Sequence, residues 1–215
     1  MIKTIIYDFD GVICDSVDIK TSAFIELYNN YDDSIKLQVQ KYHLLNGGIS
    51  RVKKIEYYEK ELLKNDINED RIKILTSKFS ELVKKKVIES EYIPGVKDFL
   101  EKNSYNYKQY ICTGTPNDEI LEIAKLKGID HYFCGIYGSP MSKIEIIRKI
   151  LNKDKISIKN CIFFGDAMTD YEAAKYHKIP FVGIKSNHTV FPHGTFLLNN
   201  FLNIDMKTIL SSIND

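Results

Sequence analysis

Apolar residues follow two rhythms along this chain. The first block, Met1, Ile2, Ile5, Ile6 and Tyr7, is short and rich in β-branched isoleucine, which predicts a strand buried on both faces. Residues 16–91 keep a helical period instead. Val52, Ile55, Tyr58 and Leu62 recur at steps of three and four, as do Ile72, Leu75, Phe79 and Leu82, predicting two amphipathic helices. Asp66 or Asn68 is placed to cap the second. Two further helices are expected over 17–29 and 34–45. Ile93-Pro94-Gly95 then punctuates the chain, and a helix follows with Val96, Phe99 and Leu100 inward.

From there strands and helices alternate. Strands are expected at 107–113, 132–136, 161–165, 181–184 and 195–198, and helices at 117–127, 142–151, 168–177 and 201–213. Such alternation predicts an α/β fold, a parallel sheet covered on both faces. Its domains are expected at 1–15 with 92–215 for the core, and 16–91 for an all-helical insertion.

Composition narrows the class without naming a function. The chain has 215 residues, 44% hydrophobic and 27% charged, with a formal net charge of +1. No overall field therefore favours nucleic acid or an anionic membrane. The Lys84-Lys85-Lys86 run is flanked by Glu81 and Glu89 and reads as a solvated helix face. No stretch reaches the length of a membrane span, and Asp8 interrupts the first apolar run before a signal-peptide core could form. A cytoplasmic protein is expected; its oligomeric state is not legible. Cys14, Cys112, Cys134 and Cys161 form no Cys-x-x-Cys pair; three sit in or beside expected buried strands, so reduced core thiols are expected, with Cys14 the exception close to the acidic pair.

The chemistry gathers at the strand ends. The first strand ends in Asp8-Phe9-Asp10-Gly11, and alternation puts both carboxylates on one side of the chain. Ligands of open α/β sheets bind beyond the carboxyl ends of the strands. Thr113-Gly114-Thr115, Lys143, and Asp166 with Asp170 follow or flank other strands, so a parallel sheet would bring all of them to one edge. Carboxylates about 4 Å apart repel by about 4 kcal/mol at an effective dielectric of 20. A hard divalent cation, Mg²⁺ above all, resolves that repulsion. Lys143, the Thr113 hydroxyl and backbone N–H groups around Gly114 would hold an anion. Metal plus phosphate is the expected occupant.

Asp8-Phe9-Asp10-Gly11-Val12, Thr113, Lys143 and Gly165-Asp166-Ala167-Met168-Thr169-Asp170 resemble the four motifs of the haloacid dehalogenase superfamily. The helical segment after the first motif is similar to that of the subfamily with a small α-helical cap, which includes phosphoglycolate phosphatases and β-phosphoglucomutases. The resemblance implies a three-layer Rossmann-like core with an inserted all-α cap, and a Mg²⁺-dependent phosphatase acting on a small phosphorylated metabolite. It further implies Asp8 as nucleophile, Asp10 as general acid and base, Thr113, Gly114 and Lys143 as phosphate ligands, and Asp8, the Asp10 carbonyl and Asp166 as metal ligands. Asp170 would be a partner behind them or an occasional ligand. Two positions depart from the commoner pattern: Ile144 follows Lys143 where many relatives have proline, and Thr-Gly-Thr replaces Ser-Asn.

Asn46-Gly47-Gly48-Ile49-Ser50-Arg51 is similar to the cap loop that contacts substrate in mutase-like relatives. Either Arg51 reaches an anionic or hydroxylated substrate from it, or the segment is a plain helix–helix turn with an exposed arginine. The five histidines lie outside the four motifs and are expected on the surface or in loops. Three readings remain open: a phosphatase, a phosphoglucomutase-like transferase, or a non-catalytic protein that binds a phosphorylated ligand. Dehalogenation is disfavoured, because dehalogenase relatives lack the second aspartate kept here as Asp10.

Overall fold

The computed structural model describes residues 2–153 and 155–214. Six parallel strands form one sheet in the order β3-β2-β1-β4-β5-β6: β1 Thr4–Tyr7, β2 Lys108–Pro116, β3 Gly135–Ser139, β4 Cys161–Gly165, β5 Phe181–Ile184 and β6 Phe196–Leu198. The helices are α1 Val17–Leu27, α2 Asp33–Leu45, α3 Arg51–Tyr57, α4 Glu69–Glu89, α5 Val96–Ser104, α6 Asn117–Leu126, α7 Lys143–Lys153, α8 Met168–His177 and α9 Met206–Asn214. The expected α/β architecture is present, a Rossmann-like sheet with helices around it.

Both faces of the sheet are buried, which is why its central strands read as nearly continuous apolar runs. Ile5, Tyr7, Ile111, Ile162 and Phe164 share one apolar cluster with Phe99 and Phe201. Ile6, Tyr110, Cys112 and Phe163 point the other way, against Ile146, Ile147 and Ile150 of α7 and Ala173 and Ala174 of α8. The first cluster also takes in Phe24, Val39, Ile55, Tyr58 and Phe79, so helices α1–α4 share their apolar interior with the sheet.

Three expected boundaries move, each for a local reason. The strand expected at 132–136 begins at Gly135, because β2 offers Tyr110 to Gly135 and Ile111 to Ile136. Tyr132 and Phe133 instead pack on the core from the preceding turn. The final helix starts at Met206 rather than near 201. Asp205 accepts the Thr208 N–H at 2.8 Å, a capping bond that sets the true start. Phe201 packs between Phe99 and Phe164. The helix expected through Leu62 turns π-helical over Tyr58–Leu62, and there the buried Glu59 bonds Arg71 and Asn65. Asn68, one of the two expected caps, accepts the Arg71 N–H at 3.1 Å.

Candidate active site

Strand register explains how residues far apart in sequence meet. Tyr7 pairs with Ile111 on one side and Phe164 on the other. Asp8 and Asp166, which follow β1 and β4, and Thr113, within β2 two positions past Ile111, therefore lie side by side where the chain switches direction across the sheet. The ladder between β2 and β3 breaks register between Cys112 and Pro116. That irregularity lies at Thr113-Gly114-Thr115, where the strand faces the pocket.

After Asp8 the backbone makes a tight turn. The Ile13 and Cys14 N–H groups donate to the Phe9 carbonyl at 2.9 and 3.0 Å, and the Gly11 N–H donates to Cys14 at 2.8 Å. Gly11 has φ +76°, and a Cβ there would strike the Asp166 carboxyl. Glycine is thus required both by the backbone and by the neighbouring acid.

One ammonium holds the centre of the acidic group. Lys143 Nζ donates to Asp8 Oδ2 at 2.7 Å and to Asp170 Oδ1 at 2.5 Å. The Phe9 N–H donates to Asp8 Oδ1 at 2.7 Å, and the Ala167 N–H to Asp170 Oδ2 at 3.1 Å. Burial opposes the charge on Lys143, but Asp170 and Asp8 outweigh it and raise its pKa. Burial, then the charges of Asp8 and Asp170, push the Asp166 carboxyl well above its ordinary range. Burial and Asp8 likewise raise Asp170, with Lys143 working against them. Ligand atoms of Asp8, Asp166 and Asp170 lie within 4.8 Å of one another. Ionised together, three carboxylates against one ammonium would leave a deficit of about two positive charges. The all-oxygen donor set and that deficit fit Mg²⁺.

Asp10 sits in a different environment. Lys20 Nζ donates to its Oδ2 at 2.5 Å and to Thr115 Oγ1 at 2.7 Å, while the Ser16 hydroxyl donates to Asp10 Oδ1 at 2.6 Å. Burial would raise the Asp10 pKa, but the Lys20 charge and the hydrogen bonds from Lys20, Ser16 and Thr115 outweigh it and lower it. The resting group is a carboxylate. Thr113 is buried, and its Oγ1 accepts the Thr115 N–H at 3.2 Å, which leaves its own proton to donate.

The helices close over this edge. Ser50 caps α3, accepting the Lys53 N–H at 3.5 Å. Thr169 Oγ1 donates to the Gly47 carbonyl at 2.7 Å. Gly48 has φ +76°, and a Cβ there would lie 2.7 Å from Lys143 Nζ, so the Gly47-Gly48 loop rests directly on the acidic cluster. One pocket is lined by Asp8, Asp10, Thr113 and Asp166 together with Lys20, Phe24, His43, Arg51 and Lys54.

Arg51 is not the exposed arginine of a plain turn. It is 4% exposed, and its two terminal nitrogens bond Glu119 at 2.8 and 2.5 Å, with a further bond to Ser80. Its charge is thus spent on an acid of α6, although the side chain borders the pocket. His43 also departs from the surface location expected for the histidines: it is 6% exposed and accepts from Lys54 Nζ through Nδ1 at 2.8 Å. Lys20, His43 and Lys54 carry no motif and were not singled out from sequence. The readable signal was the spacing of Arg51, Lys54, Ile55 and Tyr58, which puts two cations on the inward face of α3. Cys14 is buried beside the acidic loop. Burial, offset in part by Lys127 and reinforced by Asp10, pushes its thiol up to about 12, far from a nucleophile's range.

The chain belongs to the haloacid dehalogenase-like hydrolase family, whose model matches residues 5–184. It is therefore a hydrolase of that class. A 5'-nucleotidase of Pseudomonas aeruginosa is 28% identical over 102 residues, 45% of this chain and 46% of that protein; the match spans about half the length of this curated relative. Among solved structures, β-phosphoglucomutase from Clostridium difficile superposes with a TM-score of 0.81 at 19% identity, covering 100% of this chain and 98% of the other. A CbbY mutant from Rhodobacter sphaeroides, in complex with xylulose-(1,5)bisphosphate, superposes with a TM-score of 0.76 at 16% identity, covering 94% and 96%. These likenesses establish the fold.

Proposed function

We propose that the protein is a Mg²⁺-dependent phosphatase that hydrolyses a small phosphate monoester through an aspartyl-phosphate on Asp8. The observation that carries this reading is the buried grouping of Asp8, Asp166 and Asp170 around Lys143, at the strand edge that also presents Thr113. Residues 16–91 act as a cap domain over the core of 1–15 and 92–215.

In this reading Asp8, the Asp10 carbonyl and Asp166 hold the metal, with Asp170 fixing Lys143 and the turn at Ala167. The metal, when bound, supplies charge neutralisation and alignment of the phosphoryl group. The Asp8 carboxylate attacks phosphorus in line, and the alcohol departs. Lys143 and the hydroxyl of Thr113 donate to the phosphoryl oxygens, with backbone N–H groups near Gly114. Asp10 rests ionised, so the Lys20 ammonium gives a proton through Asp10 to the leaving oxygen as the P–O bond breaks, and the proton Asp10 later takes from water restores Lys20. As a carboxylate, Asp10 then takes the proton from the water that attacks the intermediate.

A second reading is transfer of the phosphoryl group to a bound sugar rather than to water. The Gly47 carbonyl bonded to Thr169 favours it, since a loop seated on the site limits water there. Both readings take a small phosphorylated metabolite, as does the structural neighbour that carries xylulose bisphosphate. The test is phosphate release from a metabolite panel with and without Mg²⁺. Turnover that requires Mg²⁺ and vanishes in Asp8→Asn is expected; equal activity in Asp8→Asn would overturn the reading. Conversion of one sugar phosphate to its isomer without phosphate release would favour transfer.

A further inference from the structure

Among the described residues, Lys20 and Arg51 of the pocket and Lys143 beside it are each matched to an acid, and Lys54 is not. Lys143 is shared by Asp8 and Asp170, Lys20 is bonded to Asp10, and Arg51 is bonded to Glu119. Lys54 is 3% exposed. Its ammonium donates to His43 Nδ1 at 2.8 Å and to the His43 carbonyl at 3.3 Å, and lies 5.7 Å from the centre of the Phe24 ring. Among the described residues no carboxylate pairs with it. His43 adds no charge. Burial, then Lys54 and Lys20, lower its pKa to about 2, so Nδ1 is an acceptor and the ring proton sits on Nε2.

A buried ammonium without a counter-ion is costly, by several kcal/mol per ion even after relaxation. Proteins keep such a group where a ligand completes it. Lys54 stands on α3, on the helical side of the cavity whose other side carries Asp8 and Thr113. A phosphoryl group held at Asp8 directs the rest of its molecule toward those helices.

We propose that Lys54, held in place by His43, is a specificity residue that binds a second anionic group on the substrate, a carboxylate or a second phosphate, away from the phosphoryl group that is transferred. The inference rests on the phosphatase reading and names its substrate class: small phosphate monoesters with two anionic ends. Lys54 donates a charge-assisted hydrogen bond to the far anion, which also supplies the counter-charge that the resting pocket lacks. Neutral-ended esters leave the ammonium without that partner.

The experiment compares substrates that share a backbone and differ only at the far end: phosphoglycolate against ethylene glycol monophosphate, and propanediol bisphosphate against propanediol monophosphate. The wild type is expected to favour at least one anionic member by about tenfold or more in kcat/KM, chiefly through KM, as a charged hydrogen bond supports. The pair that shows the preference identifies the far group as carboxylate or phosphate. Lys54→Met should collapse that ratio towards one, and Lys54→Arg should retain part of it. Equal kcat/KM for both members of both pairs in the wild type would overturn the inference, with no variant required. So would a ratio unchanged in Lys54→Met. Either result leaves the phosphatase reading standing as long as Asp8→Asn is inactive, so the two can fail separately.

Discussion

Arg51 and Glu119 form a buried two-pronged ion pair, guanidinium to carboxylate at 2.8 and 2.5 Å, which joins α3 of the helical segment to α6 beside the sheet. Ser80 of α4 donates to the same Glu119 oxygen at 2.8 Å, so three helices are tied at one carboxylate. Removing one member strands the other in a dry interior, which costs about 3–5 kcal/mol. Glu119→Ala should therefore lower the unfolding free energy by about that amount, while the double variant Arg51→Met with Glu119→Leu should recover most of it. Chemical denaturation measures both. Equal losses in the single and double variants would mean that the pair does not act as a unit.

Gly48 allows the loop to lie against Lys143. Its φ of +76° is strained for any side chain, and an added Cβ would strike Thr169 Oγ1 and lie 2.7 Å from the Lys143 ammonium. Gly48→Ala is expected to lower kcat/KM by about tenfold or more, since small displacements of positioned groups cost rates of that order or above. Gly128 is a matched control: it also has positive φ, +67°, with nothing within 4 Å of an added Cβ. Gly128→Ala should lose about 1 kcal/mol of stability and keep its activity. Parallel kinetics and thermal melts separate backbone strain from the contacts with Thr169 and Lys143.

The cysteines give a pH-linked test of burial. Burial raises the thiols of Cys14 and Cys161 to about 12 and that of Cys112 well above its ordinary value, whereas Cys134 is exposed. The thiolate is the reactive form. At about pH 8 a thiol reagent should label the exposed Cys134 alone in the folded protein, and all four cysteines after denaturation. Rapid labelling of Cys14 in the native state would contradict the packing around the Asp10 turn.

Lys54 should carry a stability cost that its proposed role would explain. Burial, then the charge of Lys20, lower its pKa from 10.5 to about 7, with Lys143 acting the same way and Asp10 and Asp166 opposing; His43 is its hydrogen-bond partner. Between about pH 7 and 10.5 the unfolded chain thus binds more protons at this position than the folded one. Stability from this group rises with pH across that window, and the penalty is complete below it. Lys54→Met should raise the melting temperature near pH 7, and the gain should shrink as pH approaches 10. A uniform gain or a loss at every pH would show that the lysine is not held against its charge.

The acidic residues were legible because each ends or follows an apolar run. Asp8 and Asp166 close the β1 and β4 patterns, and a parallel sheet with neighbouring strands then forces them together. The fold class followed from the same alternation, and the Asn68 cap from local capping chemistry. What could not be read was pairing across the helical segment. That Arg51 finds Glu119, Lys20 finds Asp10 and Lys54 finds His43 depends on how α1–α4 pack over the sheet, and no periodicity encodes it. His43 in particular sits on a half-polar helix, so only its partner across α3 shows that it is interior. The β3 start was missed because Tyr132 and Phe133 are as apolar as strand residues but pack from a turn.

The central claim is a covalent bond between phosphorus and Asp8. It is tested most directly by quenching the enzyme during turnover with Mg²⁺, reducing with borohydride, and sequencing the peptides by mass spectrometry. Borohydride converts an aspartyl-phosphate to homoserine. The account predicts homoserine at position 8, dependent on substrate and absent from Asp8→Asn. Steady phosphate release with Asp8 unmodified under the same quench would contradict it.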